Sequence, residues 1–154
     1  MFIVIKLVTI IFSLYLCANM NNTRFATVIH ILTILAKCPT EWLNSDWIAE
    51  SININPVIVR KELGALQEQG WVTSRKGKDG GTMLNVKSDQ ITLADIYRTV
   101  KNSDVLGKKN LNPNPKCPVG KDINQKLETL SVETDELVVA SLQGKTLKDF
   151  VAQF

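Results

Sequence analysis

Asparagine followed by proline at residues 55–56, a glycine at 70 and the run Gly77-Lys78-Asp79-Gly80-Gly81 punctuate the middle of this chain more tightly than anything else in it. Asn55 is a good helix N-cap, and Pro56 suits the first helical position, where no intrahelical N–H is needed. The spacing predicts a helix from Pro56 to about Gln69 with Gly70 as its left-handed cap. Val59, Leu63 and Leu66 fall at i, i+4 and i+7, which places them on one inward face. Arg60, Gly64 and Gln67 lie on a neighbouring face, with Lys61 beside them near the start.

Two short strands are expected next, Trp71–Ser74 and Met83–Val86, joined by the glycine-rich turn. Arg75, Lys76 and Lys78 sit on its arms with Asp79 as the only acid, so the tip is locally basic. A helix that runs into a basic hairpin has the layout of a winged helix-turn-helix, which sets one helix in the major groove and a hairpin beside it. The helices expected upstream agree. Thr23 caps one from Arg24 to about Lys37, with Ile31, Leu32 and Leu35 inside and Pro39 stopping it. The one histidine, His30, is expected in the core of that apolar helix. Ser45 caps a short helix from Asp46 to Glu50, and Asn53 and Asn55 fill the turn after it. Trp42, Trp47 and Trp71 are expected to pack, since aromatics dominate cores.

Length and charge narrow the function. A chain of 154 residues with 45% hydrophobic content can bury a core without disulfides. Its net charge of +3 is too small for a uniform polyanion binder, so contact with DNA must come from a local cluster. Three cysteines, Cys17, Cys38 and Cys117, are too scattered for a disulfide framework. That points to a reducing compartment, the cytoplasm. Residues 1–19 differ in character from the rest of the chain. The run from Met1 to Ala18 is apolar, lacks a cationic leader, and ends in a poor cleavage site. Met20 is read as the natural start, with a tether as the other option, and membrane contact is not expected. A chain beginning at Met20 is expected to fold and to bind DNA.

Residues 20–87 therefore read as a winged-helix DNA-binding domain, and residues 88–154 as linker, sensor loop and dimerisation helices. Thr92 with Asp95 resembles a capping box that opens a helix through Val100. A breaker-rich loop, Gly107 to Gly120, carries Pro113, Pro115 and Pro118 around Cys117. A longer helix is expected from about Lys121 to Leu142. In it Ile123, Leu127, Leu130, Thr134, Leu137 and Ser141 repeat with an average period near 3.5, a seam that wants a partner helix. The fold class is thus mainly α with a small β-hairpin, plus a long C-terminal dimerisation helix.

Four segments together, Met20-Asn21-Asn22-Thr23-Arg24-Phe25-Ala26, the Asn55-Pro56-Val57 start, the Gly77–Gly81 wing and Cys117-Pro118-Val119-Gly120, resemble the Rrf-type family of bacterial winged-helix regulators. The resemblance spans Met20 to the C-terminus. It implies a homodimer held by the long helix on a pseudo-palindromic promoter site. Cluster-binding members carry three closely spaced cysteines in the loop before that helix, whereas Gly107–Gly120 offers Cys117 alone. One thiolate cannot hold a cluster that needs about four ligands, so no iron–sulphur cluster, metal or other cofactor is expected.

The function expected is a sequence-specific DNA-binding transcriptional regulator, a repressor acting as a homodimer on double-stranded DNA. Asn53, Asn55 and Pro56 would bring the helix start to base edges, where asparagine can pair with adenine. Arg60 and Lys61 would meet phosphates or guanine, Arg75, Lys76 and Lys78 the backbone or minor groove, and Arg24 another phosphate. Ile123, Leu127, Leu130 and Leu137 would form the dimer interface. Two alternatives stay open. In one, Cys117 is an oxidant-sensing thiol, with Cys38 of the partner subunit as its candidate disulfide partner. In the other, the winged fold binds protein. An enzyme is not expected, because Cys117 has no positioned activating group beyond Lys116 and Lys121.

Overall fold

The computed structural model describes residues 23–77, 79–101 and 105–154. The readings for residues 1–19, for Cys17 and for Lys78 lie outside them. Helix α1, Thr23–Lys37, is the hub and packs on four of the other helices and on the hairpin. Val28, Ile31, Leu32 and Leu35 recur at helical spacing and are fully buried. His30 falls between those positions and is exposed, which corrects the expectation of a core histidine. Apolar neighbours in sequence do not make a residue inward-facing; its angular position on the helix does.

Helix α2, Ser45–Ile52, is capped by Asn44, whose side chain accepts from the Trp47 N–H at 2.7 Å. Ser45, read as the cap, is instead the first helical residue. The helix closes on Asn53 in the left-handed conformation, φ 59°. A two-residue turn then leads to α3, Pro56–Glu68, whose N-cap Asn55 accepts from Val57 N–H at 2.8 Å. Val59, Leu63 and Leu66 are buried as expected, and Gly70 takes φ 73°. Glu62 is also buried on this inner face. Its carboxylate takes the Arg24 Nε at 2.9 and 3.0 Å, while Arg24 Nη1 reaches the Val100 carbonyl at 3.3 Å.

The hairpin pairs β1, Val72–Arg75, antiparallel with β2, Gly81–Leu84, setting Val72 opposite Leu84 and Arg75 opposite Gly81. β2 begins two residues before the expected strand because its outer edge is held from the other side. Leu43 and Thr82 exchange backbone hydrogen bonds at 3.1 and 2.8 Å. That approach is possible because residue 81 is glycine: a Cβ there would lie 2.7 Å from the Trp42 carbonyl carbon. The helix-turn-helix and its wing are thereby locked together, and the fold is a winged helix-turn-helix.

Helix α4, Leu93–Val100, opens with the expected Thr92–Asp95 capping box. The long helix α5, Pro118–Gln143, starts three residues before Lys121 because Cys117 occupies the N-cap and Pro118 the first turn. It lies along α4, and Asp135 ties the two: Tyr97 Oη donates to it at 2.6 Å and the Lys101 ammonium binds its other oxygen. Burial pushes the Asp135 carboxyl up, but the hydrogen bonds from Lys101 and Tyr97 and the Lys101 charge outweigh that and hold it below the usual range. Helix α6, Leu147–Val151, returns the chain to the core, where Leu147 is fully buried and its N–H reaches the Ile91 carbonyl at 2.8 Å. On the outer side of α5, Leu130 and Leu137 are 49% and 72% exposed, whereas Ile123 and Leu127 are half-buried.

Candidate nucleic-acid interface

Between α3 and the hairpin lies a concave surface of about 480 Å³, lined mostly by polar side chains and glycines. Arg60, Gly64 and Gln67 line it from α3, Arg75 and Lys76 from the hairpin, and Ser45 from the start of α2. The caps at Asn44 and Asn55 aim the two helix N-termini, and the Leu43–Thr82 bridge sets the distance from helix to wing. Residues separated by 15 positions in sequence, Arg60 and Arg75, thus face one groove.

Each cation is held in its own way. Arg60 Nη1 contacts Ser45 Oγ at 3.2 Å and Asp46 Oδ1 at 3.3 Å, both at the surface. Exposed ion pairs of this kind contribute about 0–1 kcal/mol, so Arg60 is oriented but easily released to a stronger anion. The Arg75 guanidinium sits 4.4 Å above the Trp42 ring, and its Nε donates to the Asp79 carbonyl at 2.8 Å. Stacking and hydrogen bond together fix the wing's cation without neutralising it. Lys61 and Lys76 are exposed.

The remaining readings divide. Asn53 and Asn55 are exposed at the helix start, beside half-buried Pro56. Asn55, however, commits its carbonyl oxygen to the cap, so it offers chiefly its amide protons and not the two-point pairing with adenine. Arg24 does not line the groove. It is bound to Glu62 within the fold, a structural contact that the sequence reading did not include. Sequence reasoning also missed Val57 and Ile58, which are 63% and 36% exposed on the first turn of α3. Exposed apolar groups there suit the thymine methyl, and their position off the Val59–Leu63–Leu66 face was the available signal.

Gly64 has no packing reason to be glycine, since a Cβ added there meets nothing within 4 Å. A mid-helix glycine costs about 1 kcal/mol relative to alanine. Gly64→Ala should therefore raise the free protein's stability by about 0.5–1 kcal/mol in a denaturant titration. If a duplex lies against this face, the same change should weaken its binding in a titration with labelled DNA. Unchanged affinity would show that nothing approaches closely at residue 64.

Cys117 is exposed at the α5 N-cap, where the Gly120 and Val119 backbone N–H groups face its sulphur and lower its pKa from the ordinary thiol value. Cys38 is half-buried at the end of α1. Among the described residues no three His, Cys, Asp or Glu side chains gather into a metal cage. Among the described residues, Cys117 alone of the sulphur groups lies at the loop before α5, which does not fit an iron–sulphur cluster that needs about four ligands. Among the described residues, too, no helix is long and apolar enough to cross a membrane.

The chain is similar to several known proteins over most of its length. The family model Rrf2, described as an iron-dependent transcriptional regulator, matches residues 21–153. YwnA of Bacillus subtilis (strain 168), named as an HTH-type transcriptional regulator, is 38% identical over 130 residues, 84% of this chain and 96% of that protein. A crystal structure of a transcriptional regulator from Lactobacillus plantarum superposes with a TM-score of 0.71 at 24% identity, covering 84% of this chain and 88% of the other. Another, of a protein described as DNA-binding, gives 0.65 at 33% identity over 82% and 97%.

Proposed function

Because the chain belongs to the Rrf2 family of transcriptional regulators, we propose that it is a sequence-specific DNA-binding repressor that acts as a homodimer on a pseudo-palindromic promoter site inside the cell. The observation that carries this reading is the groove between α3 and the wing, with Arg60 on one wall and Arg75 and Lys76 on the other. In it α3 reads base edges through its exposed first turn, and the wing cations hold the backbone. Residues 20–87 serve DNA and residues 88–154 serve dimerisation. Two copies joined through the outer seam of α5 present two α3 helices to half-sites about one helical turn apart. A promoter occupied in this way excludes polymerase, which makes repression the simplest outcome.

Titration of a selected duplex at several salt concentrations tests the interface. Arg60→Ala should weaken specific binding by about 1–3 kcal/mol and spare random duplex. Lys76→Ala should weaken both and lower the salt slope by about one. A slope that stays put removes the wing from the backbone, and equal losses on both duplexes turn Arg60 into a phosphate contact.

The depressed thiol of Cys117 favours a second, compatible reading in which DNA affinity responds to oxidant. Peroxide would oxidise the thiolate to sulfenic acid and be reduced to water. Operator affinity should then fall after peroxide in the native chain and hold in Cys117→Ser. The same response in both proteins would reduce Cys117 to a loop residue.

A further inference from the structure

A second concavity, of about 510 Å³, lies between α1, α2 and the C-terminal segment. Its walls are apolar. Ile29 and Ile34 of α1 form the floor, Trp47 of α2 one side, and Phe150 with Phe154 the other. The two phenyl rings stand 5.6 Å apart at 60°, a tilted pair that closes one end. Trp47 is 47% exposed and Phe154 76% exposed, an unusual display of large aromatics around one hollow. Trp47, expected to pack, thus leaves about half of its surface exposed.

The charged and polar groups at the opening decide what that is. His30 and Lys37, seven positions apart on one side of α1, both line the cavity and both face solvent. Among the described residues no carboxylate side chain lines it. A pocket of this size, apolar within and carrying a few polar groups, has the dimensions of a small-molecule site. We propose that it binds a small amphipathic carboxylate, with an aromatic or branched apolar body between Trp47 and the phenyl pair and its anionic head at Lys37 and His30. Trp47 belongs to α2, which packs directly on the DNA-reading α3. Occupancy therefore bears on the orientation of α2 and α3, and this regulatory half of the proposal rests on the DNA-binding reading above.

Calorimetric titration of the full chain with 1-naphthaleneacetate, in the absence of DNA, tests the pocket separately from that reading. One molecule should bind per chain. The uncharged analogue 2-(1-naphthyl)ethanol should bind about five- to tenfold more weakly, the scale of one partly exposed ion pair with a hydrogen bond. Lys37→Glu, a surface change, should erase that preference, and Ile34→Trp should abolish binding of both compounds while the helical circular dichroism is retained. Equal affinity for acid and alcohol overturns the anionic assignment. Absence of binding overturns the pocket, and if Ile34→Trp then alters the oligomeric state in sedimentation, the occupant is a second copy of this chain. Duplex affinity measured at saturating naphthaleneacetate should shift at least threefold. An unchanged value overturns the regulatory half and leaves the binding site standing.

Discussion

Replacing Leu130 by glutamate is expected to convert the protein to monomers and to remove nearly all operator affinity in the same step. Leu130 is 49% exposed on the outer side of α5, so the change does not open a cavity in its own subunit. In a symmetric dimer the same position meets the seam twice, and two carboxylates would be driven into one apolar contact. A dimer engages the second half-site as an intramolecular event. Its loss should cost about 10²–10⁴-fold in apparent affinity with every DNA-contacting residue intact. Sedimentation and duplex titration on the same preparation check this together. Monomers that retain operator affinity would defeat the dimeric account, and dimers that persist would move the interface off α5.

The second large effect concerns the interior. Arg24→Ala removes the partner of Glu62, whose side chain is 5% exposed, against 29% for the arginine. The stranded group is then a buried carboxylate, and breaking such a pair from one side costs about 3–5 kcal/mol. For a chain of this size the melting temperature should fall by about 10 °C or more. A double replacement of Arg24 and Glu62 by leucine should recover much of the loss, because it leaves no uncompensated charge. Denaturant unfolding of the three variants gives the answer. A loss below about 1 kcal/mol for Arg24→Ala would class the pair with surface ion pairs and return the arginine to the candidates for phosphate contact.

Several features could be read directly from the chain because their causes are local. The caps at Asn55 and Thr92, and the Thr146–Asp149 capping box that opens α6, each satisfy an N–H two or three residues away. Such pairings are visible as short patterns, and the structure places these three helix starts where the patterns do. The inner face of α3 followed equally from spacing, since 3.6-residue periodicity needs no knowledge of the neighbour it packs on. The direction of the Cys117 shift was also readable, because a thiol beside a helix N-terminus meets free backbone N–H groups in any fold.

The misread residues share a different cause. Arg24 was read on its type and place alone, and its pairing with Glu62, 38 positions on, lay beyond that reading. His30 was assigned to the core on its neighbours, although which arc of α1 turns inward depends on the elements packed around it. The first residue of β2 moved because Leu43, on a separate segment, pairs with Thr82. In each case the deciding partner is distant in sequence.

The sequence by itself determined the order of the main elements, the starts of α3, α4 and α6, and the family, since caps, periodicity and turn chemistry act within a few residues of their cause. Only the tertiary structure decided that Arg60, Arg75 and Lys76 share one groove, that Arg24 does not, and that Trp47, Phe150 and Phe154 enclose a second hollow. The reason is that burial and charge pairing are set by whichever surfaces meet, and that choice is made by the packed chain as a whole.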